Sequence, residues 1–101
     1  MSVIEVRTSA FKQVIETAFA ILEAGKTLDS TAFANAMNLS LGTANKWLNV
    51  MTEKEILLRE PIAGVGTRKY TYTRNNSVSI RYSRELQVRN FLSKLHARRN
   101  A

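Results

Sequence analysis

The apolar positions of the chain fall into two periods. Across residues 9–25, Phe11, Val14, Ile15, Ala18, Phe19, Ile21 and Leu22 recur at three- and four-residue steps, with Lys12, Gln13, Glu16 and Glu23 between them. That spacing predicts an amphipathic helix. Ser9 is placed to cap its start, and Gly25 to stop it through a left-handed conformation. A shorter helix is expected within 27–40, opened by Asp29 or Ser30 and turning Phe33, Ala34 and Met37 inward. It gives way to a tight turn, Asn38-Leu39-Ser40, in which Leu39 is the apolar plug and Ser40 caps the next helix. That third helix, over 41–52, carries Ala44, Trp47, Leu48 and Met51 at i, i+3, i+4 and i+7.

Beyond Glu53 the period changes. Ile56-Leu57-Leu58-Arg59-Glu60 reads as a strand, 61–67 as a flexible tip with two glycines, and Arg68-Lys69-Tyr70-Thr71-Tyr72-Thr73 as a returning strand. The two strands make a hairpin. Pro61 cannot donate to a ladder and favours an edge, while Tyr70 and Tyr72 share one face and are expected over the core. Residues 74–79 read as polar and irregular. From about Tyr82 to Arg99 helical spacing returns through Leu86, Val88, Phe91, Leu92 and Leu95. The expected fold is mainly α with a small β-hairpin, one domain over 1–101, closed by a C-terminal helix at 82–99.

Length and composition narrow the function. A chain of 101 residues builds one modest core and leaves little material for a deep cleft, so function is expected on the outer face. The absence of Cys removes disulfide frameworks, thiolate zinc sites and thiol nucleophiles, and fits a reducing cytoplasm. Nothing approaches a membrane-spanning run, and Met-Ser-Val-Ile-Glu-Val-Arg has no basic region followed by an apolar one, so a soluble, unprocessed protein is expected. Catalysis finds little footing. The one His, His96, stands among Lys94, Arg98 and Arg99, and Glu53, Glu55 and Glu60 follow no metal-loop pattern, so neither an enzyme, a metal site nor a cofactor is expected.

Charge adds direction. The formal net charge is +7, yet residues 1–58 carry five basic and six acidic side chains, whereas 59–101 carry ten basic and two acidic. The helices are nearly neutral, and the excess belongs to the hairpin and the C-terminal segment. Such an excess suits an anionic partner, and nucleic acid leads because positive side chains bind phosphates and release counterions. A membrane surface fits less well, since the apolar stripe of the last helix is narrow.

Three helices followed by two strands is the order of a winged helix-turn-helix. The stretch from Leu28 to Leu48, with Ala34 as the small residue of the second helix and Ser40, Thr43 and Ala44 opening the third, resembles the small bacterial, plasmid and phage regulators of that superfamily. Gly64-Val65-Gly66-Thr67-Arg68-Lys69-Tyr70 is similar to their wing tip and returning strand. The resemblance covers 28–73 and implies that the third helix is a recognition helix, with Ser40, Gly42, Thr43, Asn45, Lys46 and Asn49 at DNA. On a helical wheel Gly42, Asn45, Lys46 and Asn49 point away from the apolar stripe. Asn pairs bidentately with adenine in a major groove, Lys reaches guanine or phosphate, and Gly42 allows close approach of the helix N-terminus. Glu53 shares that face and would repel phosphate.

The resemblance makes Gly64, Gly66, Thr67, Arg68 and Lys69 the wing contacts, giving affinity more than sequence reading. A plain reading stands beside each assignment: Asn45 and Asn49 as solvated polar residues, Arg68 and Lys69 as a solvated tip, Trp47 as core. Val88, Phe91, Leu92 and Leu95 offer a stripe for the first helix or for a second copy. Small winged-helix regulators of the kind it resembles often pair through terminal helices and symmetric DNA favours twofold proteins, so a homodimer is expected. Arg84, Arg89, Lys94, Arg98 and Arg99 are then phosphate contacts or a solvated face. The expected function is sequence-specific binding of double-stranded DNA in the cytoplasm, most simply as a repressor. Plasmid or phage partition or replication-origin binding, docking of an acidic protein, and single-stranded RNA binding are the rivals.

Overall fold

The computed structural model describes residues 2–62 and 69–87, and shows a small α+β protein with two separate two-stranded sheets. Its elements run β1 (Ser2–Val6), α1 (Ser9–Glu23), α2 (Ser30–Met37), α3 (Leu41–Glu53), β2 (Leu57–Pro61), β3 (Tyr70–Arg74) and β4 (Val78–Tyr82). Gly64, Gly66, Thr67 and Arg68 at the expected tip lie outside the described residues, as do Val88, Phe91, Leu92, Leu95 and His96.

Each helix is bounded by side chains suited to the task. Thr8, one residue before the expected cap, accepts from the Phe11 N–H at 3.2 Å. Asp29 accepts from the Ala32 N–H at 2.8 Å and Ser40 from the Thr43 N–H at 3.2 Å. At their ends all three helices turn through a left-handed residue, Gly25 (φ 76°), Asn38 (φ 55°) and Glu55 (φ 65°). The next N–H in each case returns to the helix: Lys26 to the Ile21 carbonyl, Leu39 to that of Ala34, and Ile56 to that of Met51. Glu55 is the costly member, because a Cβ strains that conformation. The Asn75 side chain steadies it, donating to the Glu55 carbonyl at 2.8 Å.

One core joins these elements. Phe33, Ile15, Leu28, Leu48, Met51, Ile56, Leu57, Leu86, Val6 and Val14 are fully buried. As expected, Ala44, Leu48 and Met51 form the inward stripe of α3 and Phe33 and Ala34 that of α2, while Met37 and Leu39 are half-buried at its rim. Trp47 packs on Phe11, ring centroids 6.1 Å apart, which makes it a core-edge residue. The hairpin pairs Leu57 with Arg74 through Pro61 with Tyr70, antiparallel. Beside it, Leu28 bridges Tyr72, whose N–H donates to the Leu28 carbonyl at 2.9 Å, so the loop before α2 adds a single rung on the far side of β3.

Two elements depart from the sequence reading. Ser2–Val6 is a strand, and 78–82, expected partly as irregular chain and partly as helix, is its parallel partner. Val6, Val78, Ile80 and Tyr82 alternate with Glu5, Ser79 and Arg81, the period of a half-buried strand. The C-terminal helix therefore begins after Tyr82: Ser83 caps it, accepting from the Leu86 N–H at 3.3 Å, and 84–87 are helical.

Candidate nucleic-acid interface

The turn between α2 and α3 fixes how α3 is presented. Asn38 is one of the few residue types that enters the left-handed region at low cost, and it reverses the chain in one step. Ser40 and Thr43 are committed to that local geometry, the Ser40 hydroxyl donating to Thr43 Oγ1 at 3.0 Å while accepting from the Thr43 backbone. Both are exposed. Gly42 is also exposed, and a methyl group at its Cβ position would meet nothing within 4 Å. Packing within the chain therefore does not require glycine there.

Gly42, Asn45, Lys46 and Asn49 are all exposed, as the wheel requires, but they are not equivalent. Asn45 lies on the flank of α3 that faces the start of α2, and its Oδ1 accepts from the Ser30 hydroxyl. With Asp29, Thr31, Leu41, Ile62, Lys69 and Tyr70 these two residues line an open concavity of about 290 Å³ between α2, α3 and the hairpin. Lys69 enters that rim from the hairpin, which brings one expected wing residue beside the expected recognition helix. Leu41, half-exposed at 55%, supplies an apolar contact at the same place.

Asn49 is held by a residue that the motif did not nominate. Arg59 on β2 donates from Nη1 to Asn49 Oδ1 at 3.2 Å, and its guanidinium carbon stands 4.5 Å from the centre of the Tyr70 ring. Arg59 thus ties helix to hairpin. It also lies beside Tyr72, whose phenol burial pushes up in pKa while the guanidinium works against that rise. Thr52 and Glu53 complete a second shallow depression with Asn49 and Arg59, so the carboxylate expected to repel phosphate shares that depression with a cation. A signal for Arg59 exists in the sequence, since it is two residues from the buried Leu57 and so on the face turned toward α3.

Not all of the basic excess reaches this surface. Arg74 packs its guanidinium 4.3 Å from the Phe19 ring of α1, and Arg81 pairs with Glu5 at 3.7 Å on the parallel sheet. Besides Arg74, the described cations at or beside α3 and the hairpin are Lys46, Lys54, Arg59 and Lys69, with Lys54 over the Phe11 ring. Among the described residues no cluster of three or more His, Cys, Asp or Glu side chains could hold a metal ion, and no helix is long and apolar enough to cross a membrane.

No family model matches the chain, and comparison with curated proteins and with solved structures returns no match.

Proposed function

We propose that this protein is a winged helix-turn-helix protein that binds duplex DNA, with α3 in the major groove and the β2–β3 hairpin as the wing, and that it acts as a homodimeric transcriptional repressor. The observation that carries the reading is the α2–turn–α3 unit. A left-handed Asn38 and a Ser40 cap present an exposed polar face of Gly42, Lys46 and Asn49 next to a hairpin whose Arg59 and Lys69 border the same surface. The face has the width of one helix, which a major groove admits, and its side chains are those that donate to base edges and phosphates. The rung between Leu28 and Tyr72 supports the wing, fastening the hairpin to the loop that starts α2.

Repression by occlusion needs no catalytic group and no cofactor. Twofold pairing, for which Val88, Phe91, Leu92 and Leu95 supply the apolar stripe, would set two α3 helices about one helical turn of DNA apart. The test is selection of bound duplexes from a random library followed by titration. Asn49→Ala is expected to relax base preference, whereas Arg68→Ala weakens binding to all sequences alike. Equal loss of specificity from both contradicts the assignment, and an inverted repeat among the selected sequences is the expected signature of the dimer.

A further inference from the structure

The contact between Arg59 and Asn49 has a consequence for which base is read, and it rests on the duplex-binding reading proposed for α3. An asparagine pairs with adenine by accepting from the N6 amino group and donating to N7. Which end of an amide faces which neighbour is normally ambiguous, because oxygen and nitrogen look alike. Here the neighbour resolves it. A guanidinium has only donors, so the end of Asn49 at 3.2 Å from Arg59 Nη1 has to be the oxygen. Nδ2, with its two hydrogens, is the end left over, and among the described residues nothing accepts from it.

We propose that Arg59 is a positioning residue that fixes Asn49 as a donor, so that α3 selects guanine over adenine at the base pair facing Asn49. Guanine presents two acceptors, N7 and O6, in the major groove. One accepts from an Asn49 amide hydrogen and the other from the Arg59 guanidinium, two donors side by side against two acceptors. Adenine presents an acceptor and a donor. Its N6 amino group, itself a donor, meets the guanidinium as a second donor and finds only the one lone pair of Asn49 Oδ1 that Arg59 leaves, so the adenine edge is matched less well. Arg59 is itself held, its guanidinium over the Tyr70 ring, so it does not simply swing away.

The experiment is selection from a randomised duplex library with the wild type and three variants, each first checked for folding by thermal melting. The position read by Asn49 is the one whose preference disappears in Asn49→Ala. There the wild type is expected to favour guanine over adenine by about tenfold, within the range a good base contact supplies. Arg59→Met keeps an unbranched stem against Tyr70 but frees the amide to rotate, and brings adenine to parity or above it, with the other positions of the site unchanged. Arg59→Lys, which still donates, keeps the guanine preference. If Arg59→Met does not fold, Arg59→Leu, which likewise donates nothing, serves the same purpose.

An adenine preference at that position in the wild type overturns the proposal. So does an Arg59→Met variant that binds all sequences more weakly while keeping the guanine preference, or the absence of any position governed by Asn49. Failure of the wild type to select any duplex removes the DNA reading itself, and this inference with it.

Discussion

The α2–α3–hairpin region and the β1–β4 pair are built on opposite plans. In the first, polar side chains on an exposed face are tied to neighbours at their oxygens: Asn45 by Ser30, Asn49 by Arg59. In the second, the polar side chains pair among themselves, Glu5 with both Arg7 and Arg81, while Val6 and Val78 are turned into the core. The first region displays oriented donors, and the second joins the two ends of the described chain by parallel pairing. Charged side chains thus border an exposed helix face in one place and close a sheet in the other, and net charge alone does not tell them apart.

Substitutions separate the two roles. The largest effect is expected where both regions share the core: Phe33→Ala, at a fully buried position, should cost about 3–5 kcal/mol in chemical denaturation. A loss under about 1 kcal/mol would mean that α2 is not seated as described. Val6→Ala removes buried apolar volume from β1 and should cost about 2 kcal/mol while leaving the base preference of the folded protein unchanged. A changed preference would mean that the parallel pair takes part in recognition. Ser40→Ala removes the α3 cap and should cost about 1 kcal/mol. Smallest is Gly42→Ala, which has open space for its methyl group and should raise stability by about 0.5 kcal/mol yet weaken duplex binding. Unchanged binding would show that α3 does not approach the DNA backbone at its first turn.

The two regions also differ in how far the sequence foretells them. The helices and the hairpin are local structures whose signals lie within a few residues: periodic apolar positions, Asp29 and Ser40 as caps, Asn38 at the turn. β1 and β4 carry a strand pattern too, in Val3-Ile4-Glu5-Val6 and Val78-Ser79-Ile80-Arg81-Tyr82. Their pairing, Ser2 with Val78 through Val6 with Tyr82, joins opposite ends of the described chain and has no turn to announce it. Each segment alone is too short to distinguish from a loop.

The site shows the same division. That Gly42, Lys46 and Asn49 are exposed follows from the wheel. That Asn45 sits against α2, and that Arg59 reaches Asn49 from another element, depends on how α3, α2 and β2 dock. The split of charge at residue 58 is similarly incomplete as a guide, since Arg74 and Arg81 belong to the hydrophobic and parallel-sheet neighbourhoods of Phe19 and Glu5.

Titration of duplex binding against salt decides whether the α3–hairpin surface engages DNA at all. Several phosphate contacts predict that log affinity falls linearly with log salt concentration, by about 0.9 for each phosphate neutralised, with the slope reduced by about one in Arg68→Ala. A flat slope, or no duplex binding at low salt, would contradict the account and leave the basic surface to a different partner.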